Sequence, residues 1–565
     1  MVTLPALAIV AALAQNGGGP SATACMAVGG VFTPPAEARP GRGAFAPPTP
    51  PLPEHCDIAG KIAERAGANG QRYAINYHLR LPTMWNGRFF FEGGGGSNGN
   101  VGAALGVLQG QQPTVALALG YAVVSQDSGH DNQTNNDLMR GGTQTFGFDP
   151  QARLDFGYNS YDRVATTAKA IIAKYYGRPA EKSYFAGCSE GGREGMMLSQ
   201  RFPAHFDGIL ACSPGFNLPR AAVAEAWDSQ AFAEVARASN LLDANNQPHV
   251  NKTFTDQDLE LVSRAVLEAC DALDGAPDGM VQNFTACTTA AVSPRLSAIT
   301  CSSVKTESCL SSAQVTALKK VFGGARTSKG EAAYAGWAWD AGVGGKVGAA
   351  YNLGWRIWKL GPYAAPANAA INLTLGASAL PSIFVTPPVP VAMTGGGAAA
   401  YALAFNVEKY RQALTNTSGE FRQSSLEFMK ADSTDLSAFK ARGGKLVIVQ
   451  GVSDPVFSIL DTIGWWNALN KANRGRAAEF ARLFAVPGMN HCAGGPSTDQ
   501  FGAFAALVDW VEKGVAPDRI AATARQGTPW PGRTRPLCVY PAQAHYKGAG
   551  SVEDMASFAC QAPPS

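Results

Sequence analysis

A serine lies between glycines at a point where a buried apolar segment is followed by a helical one. Residues 187–192 read Gly-Cys-Ser-Glu-Gly-Gly; the preceding residues 182–186 predict a strand and residues 193–202 predict a helix. The glycines permit a strained turn that exposes the serine hydroxyl, and the start of the helix, with the Glu190 amide, can face a developing oxyanion. This pattern predicts that Ser189 is a catalytic nucleophile.

A second glycine-rich segment precedes this elbow. Residues 93–96 are four consecutive glycines, and residues 95–99 (Gly-Gly-Ser-Asn-Gly) repeat the serine pattern after a strand-like 88–91. Because this loop lies earlier in the chain, its amides suit the other half of an oxyanion hole better than its serine suits nucleophilic attack. The alternative interpretation is a tight glycine turn between strands.

The nucleophile needs a base, and the chain has seven histidines. His491 lies in a glycine-flanked loop, 487–495, directly after a predicted strand, where a rigid scaffold can present an imidazole. His130, in Asp-Ser-Gly-His-Asp at 127–131, is the main rival, with a structural loop role as its other interpretation. The sequence therefore favours His491 as the general base.

The acid of such a constellation follows the serine and precedes the histidine, on a loop after its own strand. Asp454 meets this requirement because residues 446–450 predict a buried strand that leads into Gly-Val-Ser-Asp-Pro. Its carboxylate can then orient the imidazole and stabilise its charged form. A lone aspartate before proline can also simply form a turn, and this alternative stays open.

The eleven cysteines indicate disulfides rather than zinc, since they lack Cys-x-x-Cys spacing. An odd number leaves one thiol free, and we assign it to Cys212, in the apolar run 208–212. Cys188 precedes the predicted nucleophile and Cys492 follows the predicted base, so a bond between them would fix the separation of the two catalytic loops. Disulfides persist in oxidising compartments, which predicts a secreted or periplasmic protein.

The amino terminus and the overall composition narrow the class further. Residues 1–14 contain an apolar run that ends in Ala-Leu-Ala, as in a signal peptide, although no Lys or Arg precedes it; a disordered or truncated terminus is the alternative. A net charge of +3 with 16% charged residues excludes a nucleic-acid-binding stripe. After residue 15 no apolar run is long enough to span a bilayer, so no membrane partner is expected.

Alternating strands and helices predict an α/β fold with a large insertion. Strands are expected at 73–81, 87–91, 121–125, 445–450 and 482–486, and helices at 158–176 and 503–513. Residues 216–431 are irregular and rich in Cys, Ala and Gly, with helices at 256–269 and 312–321. We therefore divide the chain into a first hydrolase part at 15–215, a lid domain at 216–431 and a second hydrolase part at 432–565.

An acidic loop inside the predicted lid has the composition of a cation site. Asp271, Asp274 and Asp278 lie within eight residues, in a loop that contains Gly275 and Gly279, an arrangement that suits a hard, oxygen-seeking ion such as calcium. The spacing is not that of an EF-hand. A solvated acidic turn is the alternative interpretation.

With these features, the chain resembles the tannase and feruloyl esterase family over nearly its whole length. The resemblance is carried by residues 148–155, 187–195 and 486–492. It implies an α/β-hydrolase fold with a lid and an oxyanion hole formed by the amides of Gly96 and Glu190. It also implies a structural calcium ion, whose ligands would be Asp271, Asp274, Asp278 and the carbonyls of Ala276 and Met280.

The resemblance further implies five disulfides and a set of substrate contacts. The pairs would be Cys25–Cys56, Cys188–Cys492, Cys270–Cys287, Cys301–Cys309 and Cys538–Cys560. The substrate-binding residues carried over are Trp358, Asn372, Gln450 and Phe457. Compared with a branch of the family whose lid offers an arginine and a phenylalanine to a terephthalate monoester, the chain has Asn372 and Gly376, and Gly95 replaces a serine.

The leading hypothesis is hydrolysis of an aromatic carboxylic ester through an acyl-enzyme, with a terephthaloyl, feruloyl or galloyl ester as substrate. The small aromatic ester is the one partner expected, and no obligate protein partner is indicated. Two alternatives belong to other classes. A non-catalytic calcium-dependent binding protein on the same scaffold predicts a missing or misplaced catalytic residue, and a secreted serine peptidase would use the same three residues on an amide.

Overall fold

A mixed β-sheet forms the centre of the computed structural model, which describes residues 21–39, 50–344 and 354–563. The predicted signal peptide at 1–14 lies outside these residues. Within them, nine strands pair in the order β1-β2-β3-β5-β4-β6-β7-β8-β9. These strands are β1 Val31–Thr33, β2 His55–Ala66, β3 Arg72–Pro82, β4 Arg88–Glu92, β5 Ala122–Gln126, β6 Lys182–Cys188, β7 Gly208–Cys212, β8 Lys445–Gly451 and β9 Ala481–Val486.

The parallel half of the sheet, from β5 through β4 to β9, is buried on both faces. Its strands are therefore almost continuously apolar; Phe89, Phe90 and Phe91 of β4 are each fully buried. Because side chains alternate along a strand, Phe89 and Phe91 pack into one core, whereas Phe90 packs into a second core with Phe504 and Leu507. This parallel half confirms the predicted α/β fold class.

Helices cover both faces of the sheet. The α-helices in the described residues are α1 Ala22–Ala27, α2 Pro150–Leu154, α3 Ser160–Tyr176, α4 Glu190–Arg201, α5 Leu218–Ala238, α6 Asp256–Cys270, α7 Thr289–Ala298, α8 Ser312–Phe322, α9 Ala377–Ala379, α10 Gly397–Ala404, α11 Tyr410–Thr415, α12 Ser425–Phe428, α13 Ser437–Ala441, α14 Ile459–Ala472 and α15 Ala503–Lys513. The helix predicted at 158–176 begins instead as a π-helical turn, Asp155–Asn159, that continues into α3. None of the described helices has the length and hydropathy needed to cross a membrane.

The antiparallel edge of the sheet contains a strand that the sequence pattern did not predict. β2 is twelve residues long and pairs with β3, but much of its length is exposed and carries charged residues such as Lys61 and Glu64. Its hydrophobic signal is weak for that reason. The short strand β1 pairs with β2, and the Cys25–Cys56 disulfide ties the segment before β1 to the sheet.

Residues 213–444, here called the insert, separate β7 from β8. In the described part of the insert no segment belongs to a β-sheet, and helices α5 to α13 alternate with π-helical turns at Arg356–Leu360, Asn372–Gly376 and Leu380–Phe384. Helices α6 and α8 start at the predicted positions, and each begins with a capping box that satisfies its first amides. The structure thus has a helical insertion between β7 and β8. The lid domain at 216–431 stays a prediction.

Two small sheets complete the carboxyl-terminal part of the chain. Strands β10 Gln500–Phe501, β11 Arg519–Thr523 and β12 Thr534–Cys538 form one sheet, and β13 Gln543–Tyr546 pairs with β14 Phe558–Gln561. The disulfide Cys538–Cys560 joins them. The acidic loop at 271–280 packs against this region, since Arg535 of β12 forms a buried ion pair with Asp278.

Candidate active site

Ser189 occupies a sharp turn between β6 and α4. Its backbone has φ 65° and ψ −120°, a conformation that L-residues rarely adopt and that places its hydroxyl at the carboxyl end of the sheet. The flanking glycines are needed for space: a Cβ on Gly187 would lie 2.7 Å from the Gly191 carbonyl carbon, and one on Gly192 would lie 2.4 Å from the Cys212 oxygen. The sequence folds into this elbow because glycine is present at each close approach.

His491 links Ser189 to Asp454 by hydrogen bonds through both ring nitrogens. Nε2 lies 2.8 Å from Ser189 Oγ, and Nδ1 lies 3.1 and 3.0 Å from the two carboxylate oxygens of Asp454. The Asp454 carboxylate also accepts from the amides of Val456 at 2.9 Å and Phe457 at 3.1 Å, which fixes its orientation. The three predicted residues therefore form one continuous chain of contacts.

Parallel strands bring these residues together from distant positions in the sequence. Strands β6, β8 and β9 all point the same way, so the loops that follow them meet at one edge of the sheet. Ser189 directly follows β6, Asp454 follows β8 and His491 follows β9. This topology explains why the order Ser, Asp, His along the chain yields a compact site.

A disulfide joins the loop of Ser189 to the loop of His491. Cys188 and Cys492 are bonded, with their Cα atoms 6.0 Å apart and a separation of 304 positions in sequence. The other four pairings implied by the family resemblance are also present in the structure. Cys212 is the free, buried cysteine, and burial raises the pKa of its thiol, so it is not an activated thiolate.

The glycine loop lies against the elbow and leaves two amides available. Neither the Gly96 amide nor the Glu190 amide donates a hydrogen bond to another described residue. Gly96 has φ +60°, and a Cβ there would meet nothing within 4 Å, so the loop is open at this point. Ser97, the serine of the second pattern, is not the partner of His491, whose Nε2 contacts Ser189.

His130 lies elsewhere and is not part of this chain of contacts. Its ring is fully buried and stacks on Phe146 at a centroid distance of 3.7 Å. Burial lowers the pKa of His130 to about 3, so it stays neutral at physiological pH. Its position is that of a core residue beside the glycine loop.

Two aromatic side chains flank the imidazole of His491. The half-buried Trp358 of the insert meets the His491 ring edge-on at 5.3 Å, and Phe457 meets it at 5.5 Å. Gln450 is buried, with Nε2 donating to the Phe457 carbonyl at 2.7 Å and Oε1 accepting from Thr462 at 2.5 Å. Gln450 therefore supports the loop that carries Phe457, and both ends of its amide already have protein partners.

Asn372 lies on a π-helical turn of the insert. It is 1% exposed, and neither its Nδ2 nor its Oδ1 has a hydrogen-bond partner among the described residues. One turn later, a Cβ on Gly376 would lie 1.7 Å from Oε2 of the buried Glu225. The space beside Gly376 is therefore filled by the Glu225 carboxyl group.

Asp340 is a site residue that the sequence reasoning missed. This buried carboxylate accepts hydrogen bonds from Ser453 Oγ and from the amide of Gly488 at 3.1 Å, so it ties the loop of Asp454 to the loop of His491. Burial raises the pKa of Asp340. Its neighbours in sequence, Trp-Ala-Trp-Asp-Ala-Gly, carry no recognised pattern, so the residue could be found only from the structure.

The acidic loop of the insert holds its carboxylates in hydrogen bonds of its own. Asp271 accepts from the Gly279 amide at 2.9 Å, Asp274 accepts from the Ala276 and Gln282 amides, and Asp278 pairs with Arg535. Carboxylate oxygens are the donors that a hard cation prefers. Burial, with repulsion from Asp278 and Asp271, raises the pKa of Asp274 to about 7. The described residues nevertheless contain no group of three or more His, Cys, Asp or Glu side chains placed to hold a metal ion.

Comparison with known proteins identifies the family. A sequence model described as tannase and feruloyl esterase matches residues 56–561. The chain belongs to the tannase and feruloyl esterase family. One relative, the mono(2-hydroxyethyl) terephthalate hydrolase of Piscinibacter sakaiensis, is 50% identical over 525 residues, which are 91% of this chain and 86% of that protein.

Other members of the tannase and feruloyl esterase family are more distant but match over similar lengths. A probable feruloyl esterase of Arthroderma benhamiae is 28% identical and covers 91% of this chain and 88% of its own. The crystal structure of feruloyl esterase B from Aspergillus oryzae has a TM-score of 0.71 and 22% identity, covering 94% and 96% of the two chains, which shows a shared fold. This family membership and the 50% identity establish that the chain is a carboxylic ester hydrolase.

Proposed function

We propose that the chain hydrolyses esters of aromatic carboxylic acids through an acyl-enzyme on Ser189. The observation that carries this proposal is the hydrogen-bonded chain from Ser189 Oγ through His491 to Asp454, at a glycine elbow beside two free amides. Contacts of this length suit proton transfer from serine to imidazole. Trp358 and Phe457, which flank the imidazole, favour an aromatic acyl group.

The chemistry follows from these positions. His491 Nε2 takes the hydroxyl proton as Ser189 Oγ attacks the ester carbonyl, and Asp454 stabilises the imidazolium. The amides of Gly96 and Glu190 donate to the oxyanion, whose charge is then dispersed. The imidazolium gives its proton to the leaving alcohol. Water, deprotonated by His491, then attacks the acyl-enzyme; the bond to Ser189 Oγ breaks, Oγ takes the proton back from His491, and the acid is released.

The insert acts as a lid in this proposal. It supplies Trp358, whose ring lies against His491, so the insert reaches the site where the ester must bind. A segment that closes over the site excludes water from the reacting atoms and provides most of the acyl contacts. Division of the chain into a hydrolase domain and a lid domain is part of the same proposal.

The acyl preference is tested with three esters of different acids. Rates of release from methyl ferulate, methyl gallate and mono(2-hydroxyethyl) terephthalate are compared with that from methyl butyrate, with Ser189→Ala as the blank. The proposal predicts at least one aromatic ester with a kcat/KM well above that of the butyrate. A Ser189→Ala variant as fast as the parent would overturn the assignment, and equal rates on the matching anilide and ester would favour a peptidase.

Calcium is proposed as a structural ion of the acidic loop. Its support is the donor set: Asp271, Asp274 and Asp278, with the carbonyls of Ala276 and Met280 in the same loop. A cation would compete with Arg535 for the Asp278 carboxylate. The proposal predicts that calcium raises the melting temperature and that Asp274→Asn abolishes this shift while kcat stays within twofold. A melting temperature that calcium leaves unchanged would count against it.

Export from the cytoplasm is also proposed. Its support is the five disulfides, since such bonds persist in oxidising compartments. Fractionation of cells expressing the whole gene tests it. Activity in the periplasm or medium is expected, and activity confined to the cytoplasm would contradict it.

A further inference from the structure

A buried glutamate on the nucleophile helix contacts both ends of the glycine turn. Glu194 is fully buried in α4, five residues after Ser189. Its Oε2 accepts from the Gly94 amide at 3.2 Å, and its Oε1 accepts from Asn98 Nδ2 at 2.8 Å. Gly96, whose amide is one of the two available donors, lies midway between Gly94 and Asn98 in sequence.

A second contact joins the same helix to the same loop. The Gly191 amide donates to the Gly94 carbonyl at 3.0 Å, so α4 binds Gly94 through both its amide and its carbonyl. Within the loop, the Asn98 amide donates to the Gly95 carbonyl at 2.9 Å, which closes the turn. The segment from Gly94 to Asn98 is therefore held at both ends, while Gly96 remains exposed at its tip.

The close packing leaves no room for side chains at the points of contact. A Cβ on Gly94 would lie 2.4 Å from Asn98 Nδ2, and a Cβ on Gly191 would lie 2.7 Å from the Gly94 carbonyl oxygen. Glycines at these places allow the loop to approach α4 closely enough for Glu194 to reach it. Asn98 also donates to Ser128 Oγ, which anchors the far end of the turn to the core.

Burial of the Glu194 carboxyl group costs free energy unless hydrogen bonds compensate for the lost solvation. Burial, with the neighbouring carboxylate of Glu190, raises the pKa of Glu194, whereas the N–H donors of Asn98 and Gly94 oppose this shift by stabilising the carboxylate form. The neighbouring Arg193 forms its hydrogen bonds elsewhere: its guanidinium donates to the Glu190 carboxylate and to the carbonyls of Phe156 and Gly157. The hydrogen-bond partners of Glu194 among the described side chains and amides all belong to the glycine loop.

We propose that Glu194 is a positioning residue that fixes the glycine loop so that the Gly96 amide faces the Glu190 amide across the oxyanion. It acts on the rate of acyl transfer and leaves ester binding nearly unchanged, because the Gly96 hydrogen bond reaches full strength only when charge develops on the carbonyl oxygen. This inference rests on the proposed function, which assigns those two amides to the oxyanion hole.

The test compares Glu194→Gln with the parent. Glutamine keeps the volume but presents an N–H to one of the two loop donors, so one end of the turn is released. We expect kcat to fall about 10- to 100-fold, since a small misplacement of a catalytic donor has effects of this order. KM for the best aryl ester should change less than threefold, and the inhibition constant of an arylboronic acid, which mimics the oxyanion, should rise in parallel with the fall in kcat.

Two further variants separate positioning from general destabilisation. Asn98→Ala removes the same contact from the loop side, and the double variant should be no slower than the slower single variant, since both break one link. Asp149→Asn is the matched control: this buried carboxylate also accepts from backbone amides, those of Ala68 and Ala152, but away from the glycine loop. It should lower the melting temperature and leave kcat within twofold.

The outcomes distinguish this inference from the proposed function. A Glu194→Gln variant that keeps the parental kcat, or one whose KM alone rises, would overturn the role of Glu194. A boronate inhibition constant that stays constant while kcat falls would overturn it as well, as would strictly multiplicative effects in the double variant. Retained activity in Ser189→Ala would instead overturn the proposed function itself.

Discussion

The two sides of the active site come from segments that are built differently. Ser189, Asp454 and His491 follow parallel strands of the central sheet, and their loops are fixed by backbone hydrogen bonds, by Asp340 and by the Cys188–Cys492 disulfide. Trp358, which faces them, lies on a π-helical turn of the insert. The contrast indicates that the reacting atoms are set by the sheet, whereas contacts to the acyl group are set by a helical segment that can vary independently.

The insert has an anchor of its own beside Trp358. Lys359 is fully buried, and its Nζ lies 2.5 Å from Asp228 of α5 and 3.6 Å from the centre of the Trp337 ring. Burial lowers the pKa of Lys359, while Asp228 favours its charged form. Lys359 thus binds the segment that carries Trp358 to helix α5. This ion pair fixes the insert side of the site, as the Cys188–Cys492 disulfide fixes the sheet side.

The largest effect is expected on the sheet side, from Asp454→Asn. An asparagine can hold His491 in the wrong tautomer, so kcat should fall about 10⁴-fold while the fold is retained. Steady-state kinetics on an aryl ester measure this. Asp207→Asn is the control, since that carboxylate accepts from the Ser183 amide at the opposite end of β6. A decrease below tenfold in Asp454→Asn would show that the hydrogen bonds to His491 do not carry catalysis.

On the insert side, Lys359→Met should act on stability. It leaves Asp228 buried without its ion-pair partner, which lowers the free energy of unfolding by about 3–5 kcal/mol. Lys320→Met removes an exposed pair with Glu234 and should lower it by about 1 kcal/mol or less. Urea denaturation compares the two. Equal free energies of unfolding for the two variants would show that the Lys359–Asp228 pair does not stabilise the insert.

The smallest effect is expected from Trp358→Ala, and it should depend on the substrate. Loss of an aromatic contact lowers affinity by about 0.5–1.5 kcal/mol, so kcat/KM for an aryl ester should fall about tenfold at most. For methyl butyrate the change should stay below threefold. Trp227→Ala is the control, since that ring of α5 packs against Lys320. Equal losses on both esters would show that Trp358 supports His491 and does not select the acyl group.

The same contrast governs what the sequence could predict. The elbow, Asp454 and His491 were found because strand ends and glycine turns leave local patterns, and the predicted strands at 445–450 and 482–486 lie within a residue of β8 and β9. The cluster of Asp271, Asp274 and Asp278 and the Glu190 amide were predicted from the residues, whereas the Ala276 and Met280 carbonyls and the Gly96 amide came from the family resemblance. The roles of all these groups stay predictions. Neighbouring residues determine the local geometry of the chain, so turns and strand ends can be predicted from short patterns. Contacts between residues far apart in sequence depend on the whole fold and leave no such pattern.

Residues that act through distant partners escaped prediction for this reason. Asp340 and Glu194 are single acidic residues whose neighbours in sequence form no recognised motif. They accept hydrogen bonds from backbone amides that lie 148 and 100 positions away in sequence. β2 was missed because its exposed face is charged along an edge of the sheet. Gln450, expected to bind substrate, has partners in Phe457 and Thr462, a pairing that only the fold reveals.

Whether Ser189 carries the acyl group can be measured by intact-protein mass spectrometry after rapid acid quenching of an aryl ester reaction. We expect a mass increase equal to the acyl group, mapped to the peptide that contains Ser189 and absent from Ser189→Ala. An adduct on Ser97, or full turnover with no adduct in the parent and undiminished hydrolysis by Ser189→Ala, would contradict it.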